Sequence, residues 1–175
     1  MKTSTLVFVF FLLASITTIN AQSINTNKSK VKFHITGGGL FKVKGTFTGM
    51  QGDFNLNTEA LDSSSFDICI DASTVNTKNK KRDKHLKNED FFNVETYPNI
   101  CFKSTSINTT ETGYITKGEL TLHGVTKTVE IPFEYKNNTF TGNLVLNRFD
   151  YDLGKDFGTL RVGKEAKITI ICAVE

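Results

Sequence analysis

The sequence predicts an all-β antiparallel barrel of about eight strands, broken once by a short helical segment near residues 78–93. Three observations carry that expectation. Apolar and polar residues alternate with period two in short segments along most of the chain, the pattern of half-buried strands. Glycine and asparagine clusters separate the segments closely enough to join neighbours by short turns. Glycines also recur inside the segments, at Gly45, Gly118 and Gly142, which suits the curvature of a barrel better than a flat sandwich.

The segments run in order. Val31, Phe33 and Ile35 alternate with Lys32, His34 and Thr36, and Gly37–Gly39 ends that strand. No helix with a Lys-Ser/Thr pair follows the glycines, so they read as a turn and not as a phosphate cradle. Phe41, Val43, Gly45 and Phe47 resume the alternation, a turn or bulge spans Gly49–Gly52, and Phe54 and Leu56 follow. Phe66, Ile68 and Ile70 form a further strand, after which the pattern leaves the sheet. Strands return after Tyr97-Pro98 at Ile100 and Phe102, at Tyr114–Leu122, at Val129–Tyr135, at Phe140–Leu146 and at Ile168–Val174. His123-Gly124 and Asn137-Asn138 read as tight hairpin turns. Pro132 lacks the N–H a central strand needs, which marks an edge or a bulge.

Residues 1–21 carry Lys2, an apolar run from Leu6 to Ile19 and a small residue, Ala21, before Gln22. This is the pattern of a cleaved secretory leader, too short for a membrane span. The expected domains are therefore a signal peptide, 1–21, and one β-barrel domain, 22–175, in a periplasmic or secreted location. The formal net charge of +3 is too small for a protein that binds nucleic acid through many phosphates. Fifteen phenylalanines, three of them (Phe8, Phe10, Phe11) in the leader, and no tryptophan imply a large aromatic interior or an apolar cavity.

Catalytic and metal-binding patterns are not found. His34, His85 and His123 share no metal-ligand spacing, and His85 reads as a local hydrogen-bonding residue before it reads as a general base. Asp150–Asp156 places acids at alternate positions, but Gly154, Lys155 and Arg161 occupy the fifth, sixth and twelfth places of a would-be calcium loop. Cys69, Cys101 and Cys172 each fit a small buried hydrophobe better than a bridge; a bridge, if formed, would join Cys69 to Cys101. Between Lys78 and Lys87 six residues are basic, which reads as a solvated helix face before it reads as a contact for anionic headgroups.

The central motif Arg82-Asp83-x-His85-Leu86, with Asp90-Phe91-Phe92, Tyr97-Pro98 and Phe102-x-Ser104, resembles the YceI-like family of exported lipid-binding proteins. Gly118-x-Leu120-Thr121-Leu122-His123-Gly124-Val125-Thr126-Lys127 and Asn147-Arg148-x-Asp150-Tyr151 are similar to two further signatures of that family. The resemblance implies an extended, eight-stranded, lipocalin-like antiparallel barrel whose pore holds a polyisoprenoid chain such as a prenyl quinone tail. It implies transport, storage or sequestration of that lipid, with no cofactor and no catalytic residues. The three cysteines depart from the family pattern.

By alternation phase, the residues expected to contact such a lipid are Phe33, Phe47, Phe54, Phe66, Ile68 and Phe102, followed by Leu120, Ile131, Phe133, Phe140, Leu144 and Ile168. Partners beyond the lipid are a transient membrane surface and a second copy of the chain. Two other readings stay open on sequence: an interaction domain with a filled core, and a lipid- or quinone-modifying enzyme using His85 or a thiol.

Overall fold

The structure is a computed structural model that describes residues 22–38 and 41–175; the expected leader, and Gly39 in the triglycine turn, lie outside the described residues. Nine strands form one antiparallel sheet: β1 (Lys30–Gly37), β2 (Phe41–Phe47), β3 (Gln51–Asn55), β4 (Ser65–Asp71), β5 (Asn99–Thr110), β6 (Gly113–Leu122), β7 (Val125–Lys136), β8 (Thr139–Asn147) and β9 (Val162–Ala173). The count is one above the expected eight or so, and the turn expected at Gly49–Gly52 is present, with Gly49 and Gly52 at positive φ between β2 and β3, which do not pair.

The strand order β2-β1-β9-β8-β7-β6-β5-β4-β3 makes β2 and β3 the two edges. Laid flat, such edges would stand about 38 Å apart at about 4.8 Å per strand. They are joined by only Thr48–Met50, a tether of at most about 14 Å. The sheet must therefore curl until its edges meet at that corner. Two isolated bridges dress the seam, Gln22 to Phe54 and Thr46 to Asn76.

Inward phase is continuous around the wall. Beyond Ser104 a register shift in β5 turns the alternation over, so that Ile107, and not the even-numbered residues, faces the core. The two hairpin turns expected at His123-Gly124 and Asn137-Asn138 are present, with all four residues at positive φ, as two-residue hairpins require. Pro132 sits where β7 parts from β8, since these two strands pair only from Phe133 to Lys136.

The helical segment belongs to a long excursion between β4 and β5. Its helix, α1 (Lys80–Lys87), is capped by Asn79, whose side chain accepts from the Arg82 N–H at 3.0 Å. Asp83 accepts from the Thr77 N–H at 2.8 Å, and Arg82 donates to the Thr77 hydroxyl and carbonyl. His85 contacts Asp90 at 3.0 Å. The neck of the excursion closes where the Ala72 N–H donates to the Pro98 carbonyl at 2.8 Å. Below it, Cys69 and Cys101 stand opposite each other on β4 and β5 and form a disulfide. This corrects the reading of both as free buried hydrophobes: the register places their Cα atoms 4.1 Å apart. Cys172 is the free, buried cysteine.

Candidate functional site

The inward side chains do not fill the barrel evenly. One end is a solid aromatic plug. Phe133 stacks on Phe140 at 4.4 Å and on Tyr114 at 5.3 Å, Phe54 stacks on Phe66 at 4.7 Å, and Phe66 meets Phe133 edge-on at 5.8 Å. The Gln22 side chain closes this end by donating to the Tyr135 hydroxyl at 3.3 Å.

Beyond the plug lies an apolar cavity of about 200 Å³ to which every one of the nine strands contributes. Along β9 its wall runs from Val162 to Cys172, about 33 Å of extended chain, so the space is a long, narrow slot. Phe33, Ile68, Phe102, Leu144 and Ile168 line it and are only half-buried, as inward side chains are when they face a hollow.

The far end is roofed by two segments. Leu86 of α1, with Phe91 and Phe92 behind it, enters from the excursion, and Phe92 meets Phe47 edge-on at 5.1 Å. Arg148, Tyr151 and Leu153 enter from the 3-10 helix Arg148–Tyr151 and the turn after it. The segments hold each other: the Gly154 N–H donates to the Asp90 carbonyl at 2.7 Å, and Phe157 packs on His85 and Phe91.

Arg148 organises the second segment. It is buried, and its guanidinium donates to the carbonyls of Gly163 (2.9 Å), Leu153 (2.8 Å) and Val162 (3.1 Å), and to those of Gly154 and Phe157. No carboxylate pairs with it among the described residues. Desolvation lowers its pKa from the ordinary arginine value, and the ring of carbonyl dipoles replaces the missing counter-ion. The stretch that faintly resembled a calcium loop is thus a wrapping around a buried cation. Its Asp150 accepts from the Asn147 side chain at 3.0 Å.

Of the twelve residues expected to contact a ligand, eleven border the cavity: Phe33, Phe47, Phe54, Phe66, Ile68, Phe102, Leu120, Ile131, Phe140, Leu144 and Ile168. Phe133 does not. It points inward and is buried, but Phe66, Phe140 and Tyr114 enclose it within the plug. Phase alone missed the roof residues Leu86, Phe91, Phe92, Arg148, Tyr151 and Leu153, which lie outside strands. Val31, Ile35, Leu122, Leu146 and Ile170 share the phase of the expected set and were within its reach.

Two of the three histidines are engaged locally. His85 contacts Asp90, the His123 ring lies 3.1 Å from the Tyr151 carbonyl, and His34 lies on the outer phase of β1.

Comparison with known proteins gives a consistent picture. The YceI-like domain family model matches residues 22–173. A UPF0312 protein of Ectopseudomonas mendocina is 32% identical over 139 residues, covering 73% of each chain. Among solved structures, Burkholderia cenocepacia BcnA is similar with a TM-score of 0.75 and 24% identity over 85% of this chain and 98% of its own. A polyisoprenoid binding domain from Saccharophagus degradans, described as implicated in plant cell wall breakdown, gives a TM-score of 0.66 and 16% identity over 89% and 98%. These two structures share the fold of this chain.

Proposed function

The chain belongs to the YceI-like domain family, and from that premise we propose that it binds a long apolar lipid of the polyisoprenoid class and carries or sequesters it outside the cytoplasm. The observation that carries this reading is the slot itself, a space walled by aliphatic and aromatic side chains from every strand. An apolar hollow of about 150 Å³ lined by Leu, Ile and Phe already stays dry and accepts a benzene ring. A slot of about 200 Å³ admits one or two units of a branched chain, and further length requires the half-buried Phe33 and Phe102 to turn aside. Transfer is worth about 0.8 kcal/mol per buried CH₂-sized group, so the driving force grows with each unit admitted. The polyisoprenoid binding of the Saccharophagus domain supports the choice of cargo.

Export is supported by the Cys69–Cys101 disulfide, a bond that persists in oxidising compartments, together with the expected leader. Contact with a membrane during loading is supported at the roofed end. Phe41 and Leu160 are 73% and 83% exposed, and both lie toward the end of the sheet where Gly37 pairs with Phe41 and with Val162. Lys80, Lys81 and Lys84 are exposed on α1, beside the Phe157 segment that leads to Leu160. Apolar anchors among lysines are what an anionic bilayer surface holds. Glu89 and Asp90 follow on the next turn and confine the basic face to the helix.

The test is uptake of a polyprenol by the purified protein and by Leu144→Asp, with Asn143→Asp on the outer face as control. The charged wall variant is expected to lose at least 100-fold in affinity, the order of several kcal/mol for an ion opposite an apolar chain, and the control to bind normally. Equal binding by both variants contradicts the assignment of the slot.

A further inference from the structure

The expected cut after Ala21 makes Gln22 the first residue of the mature chain, and Gln22 is built into the barrel. Its backbone N–H donates to the Phe54 carbonyl at 3.1 Å. Its side-chain Oε1 accepts from the Leu56 N–H at 3.2 Å, and its Nε2 donates to the Tyr135 hydroxyl at 3.3 Å. The residues after it are tied down as well. Ser23 and Glu175 exchange backbone bonds, the Asn25 N–H donates to the Ala173 carbonyl, and Ile24 packs against the core. The segment is a strap from the edge strand β3 to the end of β9.

The groups that bond Gln22 are neutral, and Phe54 and Leu56 beside it are buried. Cleavage alone would put an ammonium there, with three N–H donors where the structure gives the nitrogen one acceptor. Gln22 is half-buried, so that charge costs free energy. The placement of its bonds offers a way to remove the charge. In extended chain, the carbonyl of one residue and the N–H two residues on point to the same side. Phe54 and Leu56 therefore present an acceptor and a donor side by side. Gln22 meets them with its own nitrogen and its own side-chain carbonyl. A γ-lactam holds that same pair, N–H and C=O, side by side in its ring.

We propose that Gln22 is a modification site: once the leader is removed it cyclises to pyroglutamate, and the lactam caps the edge of β3 at the plugged end of the barrel. The α-amine nitrogen attacks the side-chain amide carbon, forming the N–Cδ bond. The Cδ–Nε2 bond breaks, a proton passes from the amine to the departing nitrogen, and ammonia leaves. The step involves no oxidation and no co-reactant. The bonds to Phe54 and Leu56 are kept, and the one to Tyr135, the longest of the three, is lost. This inference rests on export with removal of the leader and is independent of what the slot holds.

The experiment is an intact-mass measurement of the protein processed and exported by its own host. The expected mass is that of Gln22–Glu175 less one ammonia and the hydrogens lost to the disulfide, with an N-terminus that amine-specific reagents do not label. Gln22→Ala cannot form the lactam and is expected to be labelled there. The Leu56 amide is expected to exchange with solvent roughly tenfold more slowly in the wild type than in that variant, the worth of one hydrogen bond. A mature chain that starts at Gln22 with its ammonia retained overturns this inference alone, as does a different first residue. A lactam with equal Leu56 exchange in both proteins overturns the capping of β3. A chain that keeps its leader overturns the export reading and this inference with it, while lipid uptake is decided separately.

Discussion

Arg148 and Cys172 border opposite ends of the same slot and meet the cost of burial in opposite ways. The guanidinium keeps its charge and gathers five carbonyl oxygens. The thiol stays neutral: burial pushes it up to about 11, against a small lowering from Ser29. This has a consequence for stability against pH. In the unfolded chain the thiol ionises from about pH 8.5, whereas the folded protein holds its proton until about 11. Across that window the folded state binds more protons, so stability is fully present below it and falls as pH rises. The loss expected by pH 11 is about 2–3 kcal/mol. Urea denaturation from pH 8 to 11 should show it, and Cys172→Ala should flatten that part of the profile. Tyr135 and Tyr151, also raised by burial, act in the same direction and remain in the variant as a residual slope.

At the scale of elements, the excursion between β4 and β5 is the device that turns a curled sheet into a container. Each residue of its motif has a part: Arg82 and Asp83 fasten the helix start to Thr77, His85 fastens the helix end to Asp90, and Leu86, Phe91 and Phe92 form the roof. The disulfide spans 32 residues and encloses this whole unit. Loop-closure entropy assigns such a link about 3–4 kcal/mol. Reduction, or joint replacement of Cys69 and Cys101 by Ala, is expected to lower the urea midpoint accordingly and to speed amide exchange most within residues 72–98. An unchanged midpoint contradicts the stapling role. The neighbouring mouth gives a second prediction. Vesicles containing an anionic phospholipid should retain the protein at low salt, and the joint change Phe41→Ser and Leu160→Ser should release it. Retention that is indifferent to salt and to both changes contradicts a docking surface of lysines and apolar anchors. The sequence made the helical segment legible, because the period-two alternation stops after Ile70 and six basic residues crowd between Lys78 and Lys87. The disulfide was legible as a pairing and not as a bond, since only the β4–β5 register puts the two sulfurs together.

At the scale of the molecule, the three-residue tether between the sheet's edges imposes closure, and phenylalanine content decides what closure encloses. The wall was readable from alternation because every strand keeps one face inward, and the Ser104–Ser106 shift resets that phase for Ile107 without emptying the core. Depth was not readable. Phe133 and Phe140 carry the same inward signal on paired strands, yet Phe140 reaches the slot while Phe133 is enclosed by rings. Whether an inward ring packs into a plug or borders a hollow depends on neighbours from five strands, which no single segment records. The roof residues Tyr151 and Leu153 were hidden for a related reason: they pack where β7 leaves β8, and where two strands part is not recorded in either one's alternation.

The most direct measurement is native mass spectrometry of the protein purified from its own host, followed by organic extraction of whatever it carries. A stoichiometric isoprenoid lipid is expected, and its absence when Leu144 is replaced by Asp. Protein that is empty from its host and takes up no long-chain prenyl compound afterwards would contradict the account and leave the barrel as an interaction domain with a partly hollow core.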